Sequence, residues 1–394
     1  MSTWQEKAQK YLMNTTQRLP MNIVRGEGAY VWDEEGKRYL DFVGGWAVCG
    51  LGHCHPVMVN ALVEQARTLT QVSPIVCNPQ QLKLAELLVE NSCLDQVFFQ
   101  SSGAEANEGA IKLARRYGKL KLNGAFEIIT ALNSFHGRTL VTTAATGQPH
   151  YQEPYRPLPP GFKHVAFNDA AAIKSATTPQ TCAVMLEPVQ GEGGVNIPDD
   201  DYLKQVRQWC DEKGILLILD EIQTGVGRCG SLFAYQQYGI EPDIMTLAKG
   251  LGNGVPIGAF LSKQHCSVFS PGEHGSTYGG NPLVCAVAHA VVSHIIASDV
   301  PGNAARMGAY LVEELNKFKQ KYPFVKEVRG KGLLVAVEFD RDVAQDVMIS
   351  CLKEGLWSNR VKSNAVRLMP PLVIGKKEVD DAVSILDKVI AQIK

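Results

Sequence analysis

What most limits the folds open to this chain is the alternation of short, fully apolar runs with stretches of helical period. Strands are expected at Val97 to Phe99, Glu127 to Thr130, Ala183 to Leu186, Ile215 to Leu219, Ile244 to Leu247 and Ala259 to Leu261, and several contain no polar residue. A strand with one solvated face alternates, whereas one covered by helices on both faces need not. Between these runs, Ala104 to Tyr117 and Tyr202 to Lys213 repeat apolar residues three and four apart, as a helix with one buried stripe does. The pattern predicts an α/β fold with one large, mostly parallel sheet.

The two ends read differently. YVWDEEGKRYLDF, Tyr30 to Phe42, has two short strands around a Glu-Gly turn; after about residue 300 come a helix, the strand LLVAVEF and a last helix near Lys376 to Ile393. Both ends are assigned to a smaller α+β domain, residues 1–50 and 296–394, around a large domain of residues 51–295. At roughly 100 to 200 residues per domain, a chain of 394 residues accommodates two such units.

Composition removes several classes of function. Thirty-nine Lys and Arg against forty Asp and Glu leave a net charge of −1, with no basic field to hold nucleic acid. The amino terminus lacks the apolar stretch of a secretory signal, and Ile215 to Leu219 is far shorter than the roughly 20 residues that cross a bilayer. Ten cysteines without a CxxC pair argue against a disulfide scaffold or a zinc site and for reduced thiols in the cytoplasm. No metal is expected.

Four stretches carry polar residues where chemistry would sit. In FFQSSGAEANEGAIKLARRYG, Ser102-Gly103-Ala104 stands where a strand meets a helix, so free N–H groups and the positive end of the helix dipole converge on one spot suited to an anion. Ser102 also reads as a simple N-cap supported by Glu105. In GILLILDEIQTGVGRCG an aliphatic strand ends in Asp220, at the carboxyl edge where open α/β sheets bind ligands; such an acid also serves as a helix cap. In PDIMTLAKGLGNGVPIGA another apolar strand ends in Lys249, a residue type usually solvated. Yet Asp220 and Lys249 are separated by about the roughly 30 residues of one βαβ unit, which brings both to the same sheet edge. In NSFHGRTL, Phe135 is placed to lie on a ring and Arg138 to reach a carboxylate; a core Phe and a surface Arg are the plainer alternatives. A helix terminus for phosphate, an acid for a ring nitrogen and a lysine for an aldehyde are together the anchors of a pyridoxal phosphate site.

With these motifs in view, the chain resembles the class III (ω-amino) pyridoxal phosphate aminotransferases, and within them the enzymes acting on N2-acetyl-L-ornithine in arginine biosynthesis. The likeness runs from about Arg25 to the C-terminus through SSGAEANEGAIKLAR, SFHGRTL, ATGQPHYQE, EPVQGEGGV, LILDEIQTGVGR, LAKGLGNGVPIGA, HGSTYGGNP, VRGKG and RLMPPLVI. It implies a type I pyridoxal phosphate fold and a homodimer with active sites between subunits. It further implies a Schiff base to Lys249 and Asp220 on the pyridine nitrogen. Ser102, Gly103 and Ala104 receive the phosphate, Phe135 and Ile222 cover the two ring faces, Gln223 reaches the phenolic oxygen, and Glu221 stands among the cofactor residues. Thr277 of the partner subunit bonds the phosphate. Ser276 and Arg138 contact the amino-acid substrate, while Arg367 holds the α-carboxylate of 2-oxoglutarate or glutamate, with Glu192 as its alternative partner.

By the same likeness, N-acetyl-L-glutamate 5-semialdehyde and L-glutamate are the products. Ornithine, 4-aminobutyrate and succinyl-diaminopimelate are alternative donors, since their enzymes share these anchors. The family's R-x-P element often has a tyrosine two residues before its arginine, whereas NTTQRLP has Thr16 there, so the donor pocket is expected to differ. Two false leads remain. Gly225 to Gly230 matches GxGxxG, with Asp243 at a tolerable distance for a ribose, but Asp220 to Thr224 separate it from the strand that a dinucleotide fingerprint must follow. His53-Cys54-His55 invites a metal, but reads better as a turn into a helix begun by Pro56.

Overall fold

The computed structural model describes residues 3–393. Its centre is a seven-stranded sheet in the order Gln96–Gln100, Gly258–Ser262, Ile244–Leu247, Leu216–Asp220, Thr181–Leu186, Glu127–Ala131 and Phe162–Val165. Gly258–Ser262 runs antiparallel to both neighbours, and the other six strands share one direction. The sheet is thus mostly parallel, as expected, with one reversed strand. Phe162–Val165, an edge strand of intermediate burial, is one that the apolar-run criterion did not pick out.

Burial explains the unbroken apolar runs. Val184, Leu186, Leu217, Leu219, Met245 and Leu247 join one core cluster, while Ala183, Met185, Leu216, Ile218 and Ile244 join a second on the opposite face. Successive side chains alternate between two dry faces, each fully buried Leu or Ile contributing about 1.5–3 kcal/mol. Helix Gly103–Lys121 packs through Ala106, Ala110, Ile111, Leu113 and Ala114. Its approach is close enough that a Cβ on Gly118 would lie 2.0 Å from the Ala125 carbonyl oxygen. Tyr202–Lys213 ends where Gly214 turns left-handed at φ 66°.

The two ends of the chain meet. Ile23–Glu27, Tyr30–Asp33 and Arg38–Asp41 form a small sheet completed by Leu356–Trp357, which pairs parallel with Arg38–Asp41. A second small sheet is antiparallel, ordered Val325–Lys331, Leu334–Phe339, Ala365–Leu368 and Asn359–Lys362, and helix Lys376–Ile390 follows. No single helix among the described residues is long and apolar enough to cross a membrane.

Candidate active site

Five strands of common direction deliver residues to one edge of the large sheet. Gln96–Gln100 runs into Ser101 to Ala104, Glu127–Ala131 leads to Phe135 to Arg138, and Thr181–Leu186 leads to Glu187. Leu216–Asp220 ends on Asp220 itself, and Ile244–Leu247 leads to Lys249. These residues, with Glu192, Ile222, Gln223 and residues 254–257, line a cavity of about 480 Å³. The strands bearing Asp220 and Lys249 are adjacent, Asp220 standing opposite Thr246 in register. Sheet topology thus brings together what the 29-residue spacing implied.

The cavity has an anion-binding end. Ser102 Oγ accepts from the Glu105 N–H at 3.2 Å, and the Glu105 carboxylate accepts from Ser101 N–H at 2.9 Å and from Ser102 Oγ at 3.1 Å. Capping uses those donors and leaves the first-turn N–H groups of Gly103 and Ala104, both on the cavity wall, for an anion. A Cβ on Gly103 would come within 2.9 Å of the Ile222 side chain, so glycine lets Ile222 pack against the first turn of the helix.

Asp220 lies at the other end, 3% exposed. Its Oδ2 accepts from Asn107 Nδ2 and from His136 Nδ1, both at 2.8 Å, and its Oδ1 accepts from the Ile222 N–H at 3.0 Å. Burial opposes a charge on His136, but the bond to Asp220 and its charge outweigh that, and the imidazole is held protonated more strongly than usual. The Glu187 carboxyl is pushed up to about 7 by burial, against the pull of His136. It accepts from the Phe135 and Gly191 N–H groups at 3.1 and 3.3 Å.

Lys249 occupies the left-handed region at φ 46°, a conformation that costs a non-glycine residue about 1–3 kcal/mol and aims its side chain from the strand end. Burial and then the Arg367 charge lower its ammonium to about 8, so the free amine is accessible near neutral pH. Arg367 is wholly buried on strand Ala365–Leu368. Its Nη2 meets Glu192 Oε2 at 2.9 Å and Asn359 Oδ1 at 2.8 Å, its Nη1 meets Gln223 Oε1 at 3.3 Å, and its Nε has no partner among the described residues. Glu192 is only half-buried, and although that burial raises its carboxyl, Arg367 holds it below the usual range. Arg138 stacks on Tyr151 at 3.7 Å, and Tyr151 meets Phe135 edge-on.

Three expected site residues lie elsewhere. Glu221 follows Asp220 and points to the opposite side, as consecutive extended residues do. Its carboxylate accepts from the Ala234 and Tyr235 N–H groups at 2.7 and 2.8 Å, making it a loop anchor outside the cavity. Ser276 and Thr277 belong to a separate surface cleft of about 490 Å³ with Gln71, Ser73 and Pro74. Ser276 Oγ there accepts from Gly279 N–H at 2.9 Å. Thr16 lines a neighbouring groove with Trp46, Asn359 and Arg360. Conversely, His136, Asn107 and Glu187 were not singled out in the sequence. Asn107 sits one helical turn beyond Ala104, a spacing that places both on one face.

The false leads acquire ordinary roles. Residues 225–230 form turns rather than a helix start. Asp243 pairs with Arg207 and accepts from Leu217 N–H, both at 2.7 Å. His53 Nε2 bonds Asp41 at 2.8 Å, and His55 caps helix Pro56–Thr68.

A family model, aminotransferase class-III, matches residues 11–390. The chain belongs to the class-III aminotransferases. It is 50% identical over 386 residues to an acetylornithine aminotransferase from Caldanaerobacter subterraneus subsp. tengcongensis, covering 98% of each chain. A solved ornithine aminotransferase from Toxoplasma gondii, with partial occupancy of PLP at its active site, matches at TM-score 0.94 and 36% identity, over 98% of this chain and 93% of that one. An acetylornithine aminotransferase from Elizabethkingia anophelis matches at TM-score 0.88 and 34% identity, over 98% of each. As in other class-III aminotransferases, the cofactor is pyridoxal phosphate. The helix N-terminus at Gly103 and Ala104 on the cavity wall, the multiply bonded Asp220 and the Lys249 ammonium lowered to about 8 fit its phosphate, ring nitrogen and aldehyde.

Proposed function

We propose that the chain transfers the ω-amino group of N2-acetyl-L-ornithine to 2-oxoglutarate, giving N-acetyl-L-glutamate 5-semialdehyde and L-glutamate. The observation that carries this reading is the convergence, in one cavity, of Lys249, Asp220 and a helix N-terminus with a buried arginine already paired to a carboxylate. The 50% identity to an acetylornithine aminotransferase supports the donor.

When bound, pyridoxal phosphate supplies a carbonyl for amine exchange and a ring that takes up electron density. The chain does the rest. Gly103 and Ala104 N–H groups hold the phosphate, with Ser102 shaping the turn. Asp220, kept in place by Asn107 and His136, holds a proton on the ring nitrogen. Phe135 and Ile222 cover the ring faces and exclude water, and Gln223 is assigned to the phenolic oxygen. Lys249, its ammonium lowered to about 8, would serve as the base that accepts the proton from the amine-bearing carbon of the substrate. Arg138 takes the donor's carboxylate. Arg367 takes the α-carboxylate of 2-oxoglutarate, and Glu192 neutralises it when a substrate without that group is present.

The reading includes a homodimer and the division into a terminal domain, residues 1–50 and 296–394, and a central one, residues 51–295. Ser276 and Thr277 lie outside the cavity of their own chain, and Ile75, Val76, Leu82 and Tyr278 expose apolar surface. A second copy laid on that surface would receive Thr277 at its phosphate and Ser276 near its substrate.

Ornithine is the second reading, favoured by the backbone match to the T. gondii enzyme. The test mixes cofactor-loaded protein with N-acetylornithine, ornithine, 4-aminobutyrate or succinyl-diaminopimelate and follows the absorbance change of the first half-reaction. N-acetylornithine should react fastest; if it is the slowest, the donor assignment fails while the transaminase chemistry stands. In the same panel, Glu192→Ala should shift the preference between ω-amine and glutamate by roughly tenfold, the scale of one charge-assisted pair.

A further inference from the structure

The loop that carries Ser276 and Thr277 is fastened to the element that forms the chain's own phosphate cradle. Glu273 pairs with Arg116 of helix Gly103–Lys121, Oε1 lying 2.7 Å from Nη2 and Oε2 accepting from Nε at 3.1 Å. His274 is held from two sides: Lys112 Nζ of the same helix donates to its Nδ1 at 3.0 Å, and the Gln100 amide meets its Nε2 at 2.7 Å. Phe98, Phe260 and Phe269 pack around the ring with centroids at 4.8, 5.9 and 5.4 Å. Beyond Thr277 the loop returns against the same strand end, where a Cβ on Gly279 would lie 2.3 Å from the Phe99 carbonyl oxygen.

The chemistry of the contact fixes its direction. A lysine ammonium only donates, so His274 Nδ1 accepts and the neutral ring carries its proton on Nε2. The ring then donates to Gln100, whose amide oxygen has no other hydrogen-bond partner among the described residues and turns to receive it. Burial, and after it Lys112, favours the neutral imidazole. Gln100 is 4% exposed and immediately precedes Ser101 and Ser102. A buried amide left without its acceptor role would loosen both neighbours.

We propose that Gln100 and His274 form a strut that positions the phosphate cradle of one site and the Ser276–Thr277 loop lent to the partner's site as a single unit. This rests on the shared-site reading above. Each subunit's ability to hold its cofactor then depends on a contact buried in the other, although Gln100 and His274 touch neither substrate nor cofactor themselves.

The test is a heterodimer of two differently tagged chains, loaded with pyridoxal phosphate. One chain is unaltered. The other carries Lys249→Ala, which leaves it no lysine for a Schiff base in its own site, together with Gln100→Leu; the control has Lys249→Ala alone. Borohydride added at intervals during dialysis into phosphate-free buffer fixes the cofactor covalently on the unaltered chain only, and the label on that chain reports its remaining cofactor.

The strut predicts that Gln100→Leu in the neighbour speeds this loss roughly tenfold, the effect of one buried hydrogen bond. Lys112→Met, a surface change that spares the core, should speed it about threefold. Gln100→Glu, which still accepts from Nε2, should restore the control rate. Loss at the control rate with Gln100→Leu, in a dimer intact by sedimentation, overturns the strut and leaves the shared site standing. A monomer in sedimentation of the unaltered protein overturns both.

Discussion

The sheet-edge cavity and the loop around Thr277 are two parts of one proposed site, built by opposite means. At the sheet edge, charged groups are buried and answered within the same chain: Asp220 has three donors and Arg367 has three partners. The loop is anchored at its root, yet Thr277 and Tyr278 at its tip are exposed. The contrast teaches that a chain completes internally what needs a dry, fixed dielectric, and leaves to association what needs only a well-placed donor.

The largest test of the contrast is Lys249→Ala. Turnover should fall by about a thousandfold or more, as expected when a base and carbonyl anchor are lost together, with the dimer unchanged in sedimentation. Retention of a tenth of the activity would place the chemistry elsewhere. Next comes Gly118→Ala, which forces a methyl group toward the Ala125 carbonyl oxygen. It should cost about 1–3 kcal/mol in urea unfolding, because the helix behind the cavity cannot retreat without opening the core.

Thr277→Ala should act on the cofactor alone. Its dissociation constant should rise roughly tenfold by titration, with turnover at saturating cofactor nearly unchanged. An equal loss in turnover would erase the distinction between the two halves.

The last test is one of pH. Glu187 holds its proton in the folded protein to about 7, above its ordinary 4.5. The folded state therefore binds more protons than the unfolded one in that interval, and this carboxyl costs increasing stability as pH rises from about 4.5 to 7. Glu187→Gln removes the ionisation. The melting temperature of the variant minus that of the original, in cofactor-free protein, should increase across that interval and level off above it. A flat difference would mean that Glu187 titrates normally.

Much of this site was legible because strand ends leave a strong local trace. The aliphatic run before Asp220 and the run before Lys249 located two neighbouring strands and the edge they share. Ser102-Gly103-Ala104 announced a helix start by its cap and its lack of bulk. Glu221 was misplaced because the motif names consecutive residues while an extended backbone sends them to opposite sides. His136 and Asn107 were not picked out because their partner, Asp220, is 84 and 113 positions away, and no local period reports such a contact. The reversed strand Gly258–Ser262 was also invisible, since an apolar strand buried on both faces looks alike in either direction.

By itself, then, the order of residues determined where strands and helices form and which side chains stand at strand ends. These follow from periodicity, capping and turn chemistry over a few residues. Only the tertiary structure decided the other companions of these groups: Arg367 with Asn359, Asp220 with His136, His274 with Gln100. Pairing depends on which distant segments share a dry interior, and an unpaired charge there would cost more than the fold can spare.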